Sequence, residues 1–296
     1  MVSLSNHKNV VAYISFNKRR MTFISFGKRF GHPLNKLLML FIVFFSFSAC
    51  EEIIDVDLNE GAPKLVVQGW VYDTPGPYRI RLTLTTSYFD TAAAPKVTDA
   101  LVIITENNTI VDTLKTTSPG IYKTQKITQG KVGATYSLKI LYKNEVYEAT
   151  ATLKPVAPLD SLSYVFKEKT FNRDEGYYVT VHFQEPATTG DYYRWLYYRN
   201  EKLYKKKDEV YASDEFYNGN YIDFEFGYDV DLNDTVRIEM YSLEKGGYEY
   251  FRALDEQDNT GDLFDTPPGN VKGNISNGAI GYFGASGKTV KEIIIE

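Results

Sequence analysis

Residues 78–85 constrain this chain more than any other stretch. Tyr78, Ile80, Leu82 and Leu84 alternate with Arg79, Arg81, Thr83 and Thr85, which is the two-residue period of a strand with one apolar and one wet face. Further β-like runs at residues 64–71, 100–105, 135–142 and 146–153 are separated by Gly, Pro, Asn and Asp, the punctuation of turns. About seven such strands before residue 155 predict a β-sandwich. The segment from Leu153 to Leu159 holds Pro155 and Pro158. Two prolines this close cannot pair in a central strand, so residues 155–160 are expected to form a linker between a sandwich at 63–154 and a second domain at 161–296. That second domain is predicted to be β-rich, with strands near 178–184, 192–199, 221–226, 235–243 and 279–284. One short helix is expected at 247–257, where Tyr248, Phe251 and Leu254 recur at helical spacing and Gly261 and Pro267 stand beyond the end. The expected fold is mainly β.

The first 49 residues read differently. Lys28, Arg29 and Lys36 form a basic region, residues 37–47 an apolar one, and Ser48 and Ala49 are small residues directly ahead of Cys50, the one cysteine in the chain. That is the layout of a lipoprotein signal peptide, with cleavage between Ala49 and Cys50 and lipid on Cys50. Phe47 stands where leucine is commoner. The run Ile14-Ser15-Phe16-Asn17-Lys18-Arg19 is echoed by Ile24-Ser25-Phe26-Gly27-Lys28-Arg29, so Met1 and Met21 both remain open as the start. Residues 50–62 then serve as a tether after the lipidated cysteine.

Removing residues 1–49 shifts the charge. Seven of the 33 Lys and Arg lie there and none of the 38 Asp and Glu, so the remainder carries 26 basic against 38 acidic residues, a net of −12. Nucleic acid requires a basic patch, so it is excluded as an expected partner. An acidic chain gains little from anionic lipid headgroups either, so attachment to the membrane is expected through covalent lipid on Cys50, where two or more acyl chains hold stably.

Several motifs together resemble one family. They are Cys50-Glu51-Glu52-Ile53-Ile54-Asp55, Leu65-Val66-Val67-Gln68-Gly69, Ser87-Tyr88-Phe89-Asp90, Gly120-Ile121-Tyr122, Gly133-Ala134-Thr135-Tyr136-Ser137-Leu138 and the run from Asn274 to Gly284. The chain resembles the Bacteroidota outer-membrane lipoproteins grouped as domain of unknown function 4249, over essentially all of the mature chain. The resemblance implies an outer-membrane lipoprotein on the periplasmic or cell-surface face, often encoded near TonB-dependent transporters, with no established activity. In that phylum acidic residues after the lipidated cysteine can mark surface export, and Glu51-Glu52 fit that pattern loosely. Within the first domain, Val97 to Ile103 with the Gly120 and Gly133 motifs also resembles the immunoglobulin-like sandwich at the entrance of many transporters of that phylum, where it is a spacer or docking module.

Catalytic chemistry finds few footholds in the sequence. His182, the one histidine after residue 49, lies in Val179-Thr180-Val181-His182-Phe183 on the polar face of a strand and shows no identifiable partner. With Cys50 lipidated there is no thiol and no Cys–His cluster for zinc. Asp229, Asp231, Asn233 and Asp234 begin like a calcium loop, yet Asp234 replaces the glycine and Met240 the distal glutamate, so this segment reads as a turn. No metal and no cofactor are expected. Aromatic rings offer the remaining candidate. Eleven tyrosines fall from Tyr177 to Tyr228, and Tyr192-Tyr193-Arg194-Trp195-Leu196-Tyr197-Tyr198-Arg199 carries rings on both faces of one strand. Core packing outweighs a ligand platform for these rings, but Tyr193, Trp195 and Tyr197 share one face and are the candidate ligand or partner contacts. The sequence thus predicts a non-enzymatic accessory or substrate-capture partner of a TonB-dependent transporter. The alternative is a stand-alone surface module for glycan or peptide, and a hydrolase with paired carboxylates ranks last.

Overall fold

The computed structural model describes residues 62–87, 92–204, 210–258 and 271–296. The expected signal peptide at residues 1–49, its expected cleavage point between Ala49 and Cys50, and residues 50–61 lie outside them, as do Tyr88-Phe89-Asp90, Gly261 and Pro267. The described residues belong to one unit, Glu60–Glu296, and are mainly β. None of their helices is long and apolar enough to cross a membrane.

The alternation at residues 78–85 becomes β2 (Arg79–Leu84), where Ile80 and Leu82 are fully buried and Arg79 and Arg81 face water. The pattern breaks at Thr83, which is buried where its backbone bridges to Lys96. Around it lie β1 (Leu65–Tyr72), β3 (Leu101–Glu106), β4 (Thr109–Ser118), β5 (Ile121–Lys123), β6 (Thr135–Tyr142) and β7 (Glu145–Thr152). The hairpins β3–β4 and β6–β7 turn on Asn107-Asn108 and Lys143-Asn144, all four at positive φ. That conformation matches the right-handed twist of paired strands.

A second set of strands follows: β8 (Leu159–Lys167), β9 (Gly176–Gln184), β10 (Tyr192–Arg199), β11 (Lys202–Leu203), β12 (Val210–Ser213), β13 (Tyr221–Val230) and β14 (Thr235–Leu243). Then come helix α1 (Lys245–Asp258), β15 (Ile280–Ser286) and β16 (Lys288–Ile294). One sheet runs β13-β9-β8 and another β11-β10-β14-β16, with β12 also paired to β10. Between them β9 contributes Val179, Val181 and Phe183, β10 contributes Tyr193, Trp195 and Tyr197, and β14 contributes Val236, Ile238 and Met240 to one buried cluster. Helix α1 covers the expected 247–257. Phe251 stacks on Trp70 at 5.5 Å and on Tyr211 at 5.8 Å, with the Arg194 guanidinium 4.2 Å from its ring. One aromatic side chain thereby ties the helix to both halves of the chain.

Two details depart from the expected domain division. First, β15 leaves the segment 161–296 and pairs in parallel with β1, Val66 opposite Ile280 through Tyr72 opposite Ser286, completing the order β15-β1-β2-β5-β4-β3-β6-β7. Phe283 and Ala285 are consequently part of the first core. Parallel partners carry no short-range signature, because no tight turn joins them. Second, residues 155–160 are no free tether. The Lys154 carbonyl accepts from Gly287 N–H and Ser242 Oγ–H, Ala157 is buried and Leu159 already opens β8. The prolines keep residues 155–158 out of the sheets while their neighbours on either side are held.

Candidate functional site

Beyond Gln184, where β9 ends, the chain enters a loop that returns at Tyr192 as β10. Glu185 begins this loop and is 2% exposed. Its Oε1 accepts a hydrogen bond from the Tyr193 hydroxyl at 3.0 Å, and its N–H donates to the Asn220 carbonyl at 2.9 Å. Across from it a short 3-10 turn, Asp214–Phe216, follows β12. Asp214 is buried too: its carboxylate accepts the Gly190 N–H at 2.8 Å and its N–H donates to the Asp191 carbonyl at 3.0 Å. The carboxylates of Glu185, Asp191 and Asp214 lie within 4.8 Å of one another.

Burial, the foremost cause, lifts the Glu185 carboxyl to about 7, and the negative charges of Asp191 and Asp214 add to the rise, against the lowering effect of the Tyr193 hydrogen bond. Near neutrality this group is therefore half protonated, and a positive charge arriving beside it would ionise it. Three converging carboxylates offer oxygen ligands to a metal ion or an organic cation.

Glu185 and Asp214 border a cleft of about 790 Å³, within the range that encloses a small-molecule ligand or a side chain. Phe183, Tyr193 and Trp195 form a buried aromatic wall, with Phe183 and Trp195 rings 5.5 Å apart. Its rim is a set of rings left open to solvent: Phe216 at 79% exposure, Tyr217 at 53%, Tyr221 at 55% and Phe224 at 37%. A cluster of exposed rings costs solvation and marks a surface that meets something. Among the described lining residues there is no lysine, arginine or histidine. Cations are drawn to aromatic faces and to carboxylates alike, so the chemistry of this cleft suits a positively charged group on an apolar or planar body.

Tyr193, Trp195 and Tyr197 share one strand face as expected, but that face is covered. They are 3%, 4% and 3% exposed, because β9 and β13 pack over it. Tyr193 and Trp195 become cleft wall. Tyr197 does not line the cleft; it packs on Phe226, Tyr228 and Tyr204, at ring separations of 5.2, 5.0 and 6.1 Å. The trio is packed in the core, the reading the sequence favoured over a ligand platform, although aromatic residues on both faces of β10 left the sequence without a sign of which face was covered. The rim rings went unread, although the aromatic spacing in Phe216-Tyr217-Asn218-Gly219-Asn220-Tyr221, around a turn-forming Asn-Gly, was visible.

Elsewhere, Asp231 and Asp234 form a turn closed by Arg199, whose guanidinium lies 2.6 and 2.5 Å from their carboxylates. An arginine thus sits where a calcium ion would need oxygen ligands. Burial raises the Asp234 pKa, but hydrogen bonds from Asp231 N–H, Asn200 and Arg199, and the charge of Arg199, outweigh it and hold the carboxyl below its ordinary range. His182, which showed no partner in the sequence, has two in space: Ser163 Oγ at 2.7 Å from Nε2 and Asp223 Oδ1 at 2.5 Å from Nδ1.

Comparison with curated proteins gives no match. Among solved structures, the crystal structure of the titin domains Z1Z2 in complex with telethonin is similar at 12% identity over 81% of this chain and 98% of that chain, with a TM-score of 0.21. This likeness is too weak to carry structure or function across. A family model described as domain of unknown function (DUF4249) matches residues 51–292, nearly the whole chain after Cys50. The chain belongs to the DUF4249 family.

Proposed function

We propose that this protein is a lipid-anchored outer-membrane lipoprotein that captures a cationic ligand in the Trp195–Glu185 cleft as the accessory of a TonB-dependent transporter. The cleft carries the capture reading: an aromatic wall, an exposed aromatic rim and buried carboxylates meet in one concavity of ligand size. No described residue lining it is a histidine or a lysine, so binding rather than turnover is the use to which its chemistry is suited. Attachment rests on the signal layout ending at Cys50 and on the acidic balance of the mature chain. The transporter partner rests on the family resemblance.

The same cleft would serve a stand-alone surface module for glycan or peptide, and association with a barrel separates the two readings. Affinity capture of the full chain from detergent-solubilised outer membrane is expected to bring down one large β-barrel in near-stoichiometric amount. Recovery of the chain without a barrel would remove the accessory role and leave the stand-alone module.

A further inference from the structure

On the outer face of the β13-β9-β8 sheet three side chains form a relay. Asp223 of β13 lies directly opposite His182 of β9, and Ser163 of β8 is paired with Thr180, two residues along the strand from His182. Residues two apart on a strand share a face, so register alone brings all three side chains to one side. The other side of β9 is fixed in the core by Val179, Val181 and Phe183, which leaves the imidazole little freedom to swing away. With a carboxylate at Nδ1, the proton of the neutral ring belongs on Nδ1, where it is donated to Asp223. Nε2 is then the acceptor for the Ser163 hydroxyl at 2.7 Å. Nucleophile to base and base to orienting carboxylate are both at hydrogen-bond distance, the arrangement that activates a serine.

We infer that Ser163 is a nucleophile, activated by His182 and positioned through it by Asp223, that accepts acyl groups from activated esters. This goes beyond ligand capture and does not depend on it. Ser163 Oγ attacks the ester carbonyl carbon while its proton passes to Nε2. The bond from that carbon to the leaving oxygen then breaks, and the departing alcohol takes the proton from Nε2. Water repeats the sequence on the seryl ester, releasing the carboxylic acid and restoring the serine, so ester and water become acid and alcohol. No oxyanion-binding donors are assigned beside Ser163 among the described residues, so the expected gain is that of base catalysis alone, on the order of 100-fold or more. Small esters with good leaving groups, such as aryl acetates, are the class that fits.

The test is acetylation of the full chain by p-nitrophenyl acetate, followed site by site by peptide mass spectrometry. Ser163 is expected to acetylate about 100-fold faster than exposed Ser118. That excess should vanish in His182→Gln and Asp223→Asn and return in part in Asp223→Glu, with circular dichroism unchanged in each. His182 is 20% exposed and Asp223 64%, so the Asp223 variants, at the more exposed position, remove the relay independently of any packing lost at His182. Ser163 reacting no faster than Ser118, or reacting equally fast without His182, would overturn the inference and leave a cross-strand hydrogen-bond ladder only.

Discussion

Gly281→Ala melts on the order of 10 °C below the native chain, while Gly76→Ala melts with it. Gly281 sits at φ +109, and a β-carbon there would stand 1.9 Å from the Val67 carbonyl oxygen. No L side chain adopts that φ without strain, and the obstacle is backbone that cannot swing aside. Relief requires β15 to move off β1, which withdraws Phe283 and Ala285 from the first core. Strain and lost burial together cost about 3 to 5 kcal/mol, and each kcal/mol lowers the melting temperature of a chain this size by about 2 to 4 °C. Gly76 has nothing within 4 Å of the same added atom. Equal melting of the two variants in a calorimetric scan would mean that β15 is not docked on β1 as described.

If Cys50 carries the lipid as proposed, Cys50→Ala is expected to abolish lipid labelling. The apolar run at 37–47 is eleven residues long, about 16 Å as a helix, and cannot cross a hydrocarbon core of about 30 Å. The mature chain is acidic, so headgroup charge gives no substitute for the lipid. Labelled fatty acid is therefore expected in the native protein and absent from the variant, which should appear as uncleaved precursor or as soluble envelope protein. Unchanged membrane fractionation with no loss of label would remove the lipoprotein reading.

What the sequence disclosed and what it hid divide along physical lines. Local periodicity carried the strands and the helix, because burial of alternate residues in β2 and the packing of the half-buried Phe251 in α1 leave their mark within a few positions. Pairing across long separations left none. The parallel partnership of β15 with β1 joins Ile280 to Val66, with no turn chemistry to announce it. The cleft depends on the turn at Asp214 folding back onto Glu185, and the partners of His182 arrive from β8 and β13, which only register can place. At β10 the ambiguity was intrinsic: Tyr192, Arg194 and Tyr198 are half-buried on one face while Tyr193, Trp195 and Tyr197 are buried on the other, and tyrosine suits either situation.

Capture of a cation beside Glu185 is tested most directly by fluorescence titration of Trp195, one of two tryptophans in the chain, in a Trp70→Phe background. Tetramethylammonium and a primary alkylamine are expected to quench it saturably, with affinity rising by up to tenfold per pH unit as the solution is brought up towards the Glu185 pKa of about 7. Below that pH the ligand must displace a proton before it meets a full negative charge; above it the carboxylate is ready. Glu185→Gln should weaken binding and flatten the dependence on pH, and neutral isosteres of the same shape should bind poorly. Equal binding of the neutral isosteres, preferred binding of an anion, or quenching by calcium alone would contradict the account.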